Sequence, residues 1–144
     1  YQMLTDEGIC RRWGLGEPSE FAYLSAAGQV ATIEEMNDAK EFTSVVHALH
    51  TFRFTDEEIG GVWRMLAAIL LLGNVDFQPQ VKGDGGGDEE IAEVVDDAKL
   101  STAAKVLGTD DDKLRFPLLK KHIKVMRDTI VAKHTVRAAE QSVQ

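Results

Sequence analysis

The clearest periodic pattern of the chain runs from Thr55 to Leu72. Apolar residues recur there at the three- and four-residue spacing of one helical face, namely at Ile59, Val62, Trp63, Leu66, Ile69 and Leu70. Thr55 and Glu58 have the spacing of a capping box, and the acids of the first turn suit the positive end of a helix dipole. Further apolar residues widen the face, so the pattern predicts a helix that is buried nearly all round.

The pattern changes at Gly73, which suits the left-handed residue just past a helix end. Val75 and Phe77 then alternate like a short strand. We therefore expect the structural core to include Trp63, Leu66, Ile69, Leu70, Gly73 and Phe77.

Two more helices are predicted in the first half of the chain. The segment Tyr1–Trp13 has the pattern of the end of a helix, with Leu4 and Ile9 facing inward. The segment from Asp38 to Phe52 repeats apolar residues at helical spacing behind Asn37, a suitable N-cap.

The composition changes at about residues 78–90, which are acidic and rich in glycine and are predicted to form a flexible loop. Ile91 to Val95 has the alternation of a strand. A helix is expected to follow, capped by Asp96 or Asp97 and ended by Gly108.

Another short helix is predicted to begin at Thr109 or Asp110 and to be disturbed by Pro117. Residues from His122 to Val136 alternate between apolar and polar side chains and predict a β-hairpin, with its turn near Arg127-Asp128. These elements together predict a mainly α (α+β) fold, in which a helical subdomain carries a peripheral β-hairpin.

The sequence of 144 residues is one domain's worth of chain, but Tyr1 and Gln144 both fall inside helical patterns. We therefore expect it to be part of a longer protein. The longest nearly uncharged apolar run, Val62 to Val75, is shorter than the roughly 20 residues that cross a bilayer as a helix. No membrane insertion is predicted.

The net charge of −8 argues against general nucleic-acid binding and for a soluble protein. The single cysteine, Cys10, cannot form an internal disulfide, so a reducing compartment is expected.

The charges are unevenly placed along the sequence. Residues 84–97 contain seven acids and no base, whereas Asp128 is the one acid between residues 113 and 137, a segment with eight bases. A basic hairpin on an acidic protein suggests docking to an acidic surface. The alternative is that these bases form an ordinary solvated face.

The sequence offers little support for catalysis or for a bound cofactor. His47 and His50 lie one turn apart, but no third ligand of suitable type is indicated for a metal ion. There is no Gly-x-x-x-x-Gly-Lys-Ser/Thr phosphate loop and no Gly-x-Ser-x-Gly nucleophile turn. No catalytic, metal-binding or cofactor-binding residue is therefore predicted.

The run from Leu66 to Phe77, Leu-Ala-Ala-Ile-Leu-Leu-Leu-Gly-Asn-Val-Asp-Phe, resembles the "LAAILHLGN(I/V)xF" signature of myosin motor domains, with Leu71 in place of the usual His. The preceding Phe54-Thr-x-Glu-Glu is similar to the usual lead-in of that signature. Tyr1-Gln-Met-Leu4 resembles the end of the family's "hIFYqLL" helix, and Asn37-Asp-Ala-Lys-Glu-Phe42 resembles its "DDa.eF" stretch.

The resemblance implies that residues 1–144 are part of the upper fifty-kilodalton subdomain of a larger P-loop motor head. The implied partners are the actin filament and the remainder of the head, and the implied location is the cytoplasm, in association with the cytoskeleton. ATP and Mg would be bound by the parent motor, since the phosphate loop and both switches lie outside this segment in the family.

The resemblance also assigns a role to the hairpin, which falls where the family carries its actin-contacting cardiomyopathy loop. Lys124, Arg127 and Lys133 would then be the basic residues offered to actin, and Asp128 would occupy the family's acidic or phosphorylatable position.

Two hypotheses from different classes follow. The first is a segment of an actin-based, ATP-driven motor that gives scaffold and part of the actin-binding surface. The second is a self-contained acidic helical protein-interaction module with a basic hairpin. A stand-alone enzyme has no catalytic constellation in this sequence to support it.

Overall fold

A computed structural model of the chain describes residues 1–25, 35–80, 91–125 and 128–143, with only the backbone given at residues 123–125 and 128. The chain forms two compact units, Tyr1–Asn74 and Val75–Gln144. Helices dominate the described residues, and two antiparallel strand pairs accompany them. The predicted mainly α class with a peripheral hairpin is confirmed.

The first unit is helical throughout its described elements. It contains a 3-10 helix Gln2–Thr5, helix α1 Glu7–Trp13, a 3-10 helix Pro18–Glu20, helix α2 Asp38–Thr51 and helix α3 Asp56–Leu72. The predicted single helix over the first thirteen residues is in fact two helices, because Asp6 leaves the helical conformation and its carboxylate accepts the Ile9 N–H at 2.9 Å. Met3 is the buried residue here, while Leu4 and Ile9 are half-buried.

Local side-chain caps begin α2 and α3, as predicted. The Asn37 side chain accepts the Lys40 N–H at 3.0 Å. At α3, the Thr55 hydroxyl accepts the Glu58 N–H at 3.3 Å, and the Glu58 carboxylate accepts the Thr55 N–H at 2.8 Å. These reciprocal bonds form a capping box, which pairs two backbone donors that the helix itself cannot use.

The end of α3 differs from the prediction. Gly73 is right-handed, with φ −61° and ψ −17°, so the predicted left-handed conformation is wrong. Glycine is required there for space, since a Cβ atom would lie 2.4 Å from the Tyr23 ring. Asn74, the next residue, connects the end of α3 to the segment around residue 21. Its side chain accepts the Ala22 N–H at 2.9 Å and donates to the Glu20 carbonyl at 2.6 Å.

Helix α3 is buried on one side only. Its buried residues are Ile59, Ala67 and Ala68. The predicted core residues Leu66 and Ile69 are 41% and 46% exposed, and Trp63 and Leu70 are half-buried. The prediction of burial nearly all round is therefore wrong for the described residues, because Val62, Met65, Leu66 and Ile69 of α3 remain exposed.

The second unit combines helices with both strand pairs. Its elements are β1 Phe77–Gln80, β2 Ile91–Val94, α4 Asp97–Leu107, α5 Asp111–Leu119, β3 Lys120–Val125, β4 Asp128–Lys133 and α6 Val136–Val143. β1 pairs antiparallel with β2, with Phe77 opposite Val94. The predicted flexible loop at 78–90 therefore begins with three strand residues, and positions 81–90 lie outside the described residues.

The core of the second unit is a small apolar cluster. Its buried members are Val75, Val94, Leu100 and Leu118, and the predicted core residue Phe77 packs against them. As predicted, Asp96 caps α4 by accepting the Ala98 N–H at 2.8 Å, and a left-handed Gly108 ends this helix. Pro117 does not stop α5, which continues to Leu119.

Within the described ranges, no helix is both long and apolar enough to cross a membrane.

Candidate functional site

The basic hairpin consists of β3 and β4, which pair antiparallel from Lys120 opposite Lys133 to Val125 opposite Asp128. Its strands therefore begin and end earlier than the predicted 122–136. The hairpin begins earlier because α5 continues into β3 without a loop. It ends earlier because α6 follows closely, and the Thr135 hydroxyl caps that helix by accepting the Ala138 N–H at 3.3 Å.

His134 connects the base of the hairpin to two neighbouring elements. Its Nδ1 lies 2.9 Å from the Leu118 carbonyl oxygen, and its backbone N–H donates to the Leu119 carbonyl at 2.8 Å. A carbonyl can only accept, so Nδ1 carries the hydrogen. These carbonyls belong to the last turn of α5, which lacks helical donors. The His134 carbonyl in turn accepts the Ala92 N–H at 2.9 Å, which joins the hairpin to β2.

The bases of the second unit fall into a paired and an unpaired group. Lys113 Nζ lies 2.7 Å from the Asp110 carboxylate, and Arg115 Nη2 lies 2.7 Å from the Asp97 carboxylate. Lys133 is exposed and forms no ion pair with another described residue. The bases of α5 are therefore neutralised locally, whereas Lys133 on the hairpin offers its charge to solvent.

The hairpin base places two like charges opposite each other. Lys120 and Lys133 are direct cross-strand partners, an arrangement that is destabilising by itself. The Lys120 ammonium lies 5.8 Å from the centre of the Phe116 ring, which supplies a weak compensating attraction. An acidic group on a partner would relieve this repulsion, so the charge pattern of the hairpin favours acidic partners.

The predicted site residues occupy both ends of this hairpin. Lys124 lies opposite Thr129 in the register, and Asp128 begins β4 opposite Val125. Arg127 lies outside the described residues. Lys133 ends β4, about 17 Å from Asp128 at the usual rise per strand residue. The described candidate contacts are therefore distributed along the hairpin and do not form one cluster.

The remaining chemical candidates are the histidines of α2 and Cys10, and the described residues do not bring them together into one site. Among the described residues, no group of three His, Cys, Asp or Glu side chains could hold a metal ion. The His50 imidazole lies 3.7 Å from the Asp56 carboxylate. Burial, and then the negative charge of Asp6, raise the pKa of the Cys10 thiol, so it is a weaker nucleophile than an ordinary cysteine.

Sequence reasoning missed His134, although it fixes the hairpin base. Its partners lie fifteen or more residues earlier in the chain. No local pattern marks such a contact, because His134 falls inside the hairpin predicted for residues 122–136 and has no distinct signal of its own.

The chain is similar over its whole length to one protein family, and over most of its length to individual proteins. Residues 1–144 match the sequence model of the family described as Myosin head (motor domain). The chain is 37% identical over 112 residues to the Myosin-K heavy chain of Dictyostelium discoideum, covering 76% of this chain and 12% of that protein. It is 36% identical over 120 residues to Myosin-1 of Arabidopsis thaliana, covering 83% of this chain and 10% of that protein.

A third relative, the Myosin IF heavy chain of Dictyostelium discoideum, is 29% identical over 124 residues, which are 85% of this chain and 11% of that protein. The chain thus spans only about a tenth of the length of these curated relatives. The match over all its residues favours the motor hypothesis over the self-contained interaction module. The chain belongs to the myosin head (motor domain) family.

Proposed function

We propose that this chain is a segment of an actin-based, ATP-driven cytoskeletal motor, in which it gives scaffold and part of the actin-binding surface. The observation that carries the actin contact is the hairpin Lys120–Lys133, which is fixed at its base by His134 and ends in an exposed Lys133 without a described ion-pair partner. Membership of the motor-domain family supplies the context for this contact.

The proposed contact is electrostatic. Bases on the hairpin attract an acidic surface over the Debye length, about 10 Å at 0.1 M salt. Such charges act mainly on the association rate and on the dependence of binding on salt. In this proposal Lys124, Arg127 and Lys133 face actin and Asp128 tunes the contact.

In this proposal, nucleotide binding and hydrolysis belong to other parts of the motor. ATP and Mg bind to parts of the motor outside residues 1–144, and the remainder of the head packs against this segment. The motor works in the cytoplasm on the cytoskeleton.

The test is cosedimentation of the full-length motor with actin filaments at several salt concentrations. We expect Lys133→Glu, alone or with Arg127→Glu, to weaken filament affinity roughly two- to tenfold at low salt, with a smaller effect at high salt. Basal ATP turnover without actin should stay near that of the parent.

The matched control is Lys105→Glu, which makes the same charge change at an exposed position of α4, outside the hairpin. It should leave actin affinity near the parent value. Unchanged affinity of the Lys133 and Arg127 variants across salt, or an equal loss in the Lys105 variant, would contradict the proposed contact.

A further inference from the structure

The two faces of the hairpin carry different side chains. Successive residues of a strand point to opposite faces, and residues paired directly across the ladder share a face. Lys120 is paired with Lys133, and His122 is paired with Val131. One face, here called the first face, therefore contains the described and exposed residues Lys120, His122, Thr129, Val131 and Lys133.

The opposite face, here called the second face, is less basic. Its described side chains are those of Lys121, Ile130 and Ala132, so it has one described base, whereas the first face has two lysines and a histidine. Both faces are open to solvent, since Val131 on the first face is 47% exposed and Ile130 on the second is 53% exposed. Exposure therefore does not distinguish the two faces, but charge does.

The bases of the first face lie close together. Lys120 and Lys133 are direct cross-strand partners, whose Cβ atoms lie about 5 Å apart in such a ladder, and His122 is diagonal to Lys133 at about 7 Å. None of the three forms an ion pair with another described residue. A carboxylate set against this face would therefore be within reach of donors from more than one base.

Phe116 of α5 supports this arrangement. Its ring centre lies 5.0 Å from the centre of the His122 ring and 5.8 Å from the Lys120 ammonium. Side chains that already pack against a ring lose less rotamer freedom on binding than unrestrained ones do. Two bases of the first face are therefore partly ordered before a partner binds.

We propose that the first face, and not the second, meets the acidic surface of the actin filament, with Lys120 and His122 as contact residues beside Lys133. The inference rests on the proposed function, because it takes the hairpin to bind actin. It adds which side of the hairpin docks, and so fixes the rotation of the hairpin about its own long axis relative to the filament. Lys121 faces away from the filament and contributes no short-range contact.

Two pairs of adjacent residues test the choice of face in the full-length motor. Lys120→Glu and Lys121→Glu make the same charge reversal on neighbouring residues of β3, one on each face. Val131→Glu and Ile130→Glu add the same carboxylate to neighbouring, exposed apolar residues of β4.

Actin cosedimentation at about 0.15 M salt measures the effect, since the Debye length is then about 8 Å and charges on the far face are largely screened. We expect Lys120→Glu and Val131→Glu, on the first face, to weaken filament affinity roughly three- to tenfold. Lys121→Glu and Ile130→Glu should change it less than about twofold.

A third pair tests His122 with the opposite sign. His122→Lys adds a permanent positive charge to the first face and should raise filament affinity roughly two- to fourfold. Ile130→Lys adds the same charge to the second face and should leave the affinity near the parent value. An equal gain in both variants, or no gain from His122→Lys, would contradict the role of His122.

The outcomes separate this inference from the proposed function. Equal losses for both members of the Lys120/Lys121 and Val131/Ile130 pairs would overturn the choice of face and leave the actin contact of the hairpin intact. Larger losses for Lys121→Glu and Ile130→Glu would also overturn it, because the second face would then dock. Unchanged affinity in all four variants and in Lys133→Glu would overturn both proposals. Thermal unfolding of each variant identifies loss of folding, and a glutamine at the same position replaces any glutamate that unfolds the motor.

Discussion

Gly60 lies within α3 and Gly73 directly follows it. The effect of replacing each with alanine depends on the space around it. A Cβ atom at Gly73 would lie 2.4 Å from the Tyr23 ring, whereas a Cβ atom at Gly60 would meet no atom within 4 Å. We expect Gly73→Ala to lower the free energy of unfolding by about 1–3 kcal/mol through overpacking. Gly60→Ala should raise it by about 0.5–1 kcal/mol, because alanine loses less backbone freedom on folding.

Urea denaturation of both variants measures this difference. Equal effects of the two alanines would show that the Tyr23 ring moves aside without cost and that space does not explain the glycine.

Arg53 is a strained residue at the end of α2. Its φ of 64° is left-handed. The two bonds of a Schellman motif are present, since the Arg53 N–H donates to the His50 carbonyl at 2.9 Å and the Phe54 N–H donates to the Leu49 carbonyl at 3.1 Å. Glycine normally occupies this position. We expect Arg53→Gly to raise the free energy of unfolding by about 0.5–1 kcal/mol, the cost of the left-handed conformation less the extra freedom of unfolded glycine.

Gly108 allows the reverse substitution to be tested, because it is a glycine in the left-handed conformation, with φ 73°, at the end of α4. Gly108→Ala should lower the urea midpoint while Arg53→Gly raises it. A lower midpoint for Arg53→Gly would show that the arginine side chain contributes more than its backbone costs.

At the scale of elements, the capping box of α3 makes the stability of the helix depend on pH. The backbone N–H and the hydroxyl of Thr55 hold the pKa of Glu58 below its usual value of 4.5. A depressed pKa stabilises the folded state above the unfolded-state pKa, and this contribution is lost as the pH falls through the folded-state value. We therefore expect Glu58→Gln to lose less stability than the parent between about pH 6 and pH 3.

Glutamine suits the experiment because it can also occupy this position of a capping box. Glu57→Gln is the control, since it removes one carboxylate from the same helical turn without touching Thr55. Parallel acid profiles for the parent and Glu58→Gln would contradict the role of the carboxylate.

The predictable elements are those whose signals are local in sequence. The caps at Asn37, Thr55 and Asp96 involve partners two or three residues away, so the sequence alone locates the starts of α2, α3 and α4. The break at Asp6 is equally local, but the apolar periodicity continues across it and conceals it.

Burial could not be predicted in the same way. The periodicity of α3 identifies which residues are apolar, but the exposure of Leu66 and Ile69 depends on which elements pack beside the helix. The same reasoning applies to His134, whose partner carbonyls belong to α5. The sequence pattern shows which side chains are apolar or polar. Their burial and their hydrogen-bond partners depend on the tertiary structure.

At the scale of the whole molecule, the net charge of −8 conceals a local reversal of sign. Acids of the second unit neutralise bases outside the hairpin, as in the pairs Lys99–Asp76 and Arg115–Asp97. These pairs leave the hairpin as a basic element on an acidic chain. Electrostatic attraction to an acidic filament would therefore act on one element, while the rest of the chain is repelled, which favours a defined orientation over non-specific association.

Asp128 gives the most direct test of this orientation in the full-length motor. It is the one acid among the eight bases between residues 113 and 137, and it begins β4. If the hairpin approaches an acidic actin surface, Asp128→Ala removes a repulsion and should raise filament affinity roughly two- to fivefold at low salt, with the gain shrinking at high salt.

Asp128→Glu keeps the charge and should behave like the parent. Cosedimentation measures affinity, and steady-state turnover without actin should stay unchanged. Weaker binding by Asp128→Ala would mean that the aspartate itself meets a base on the filament.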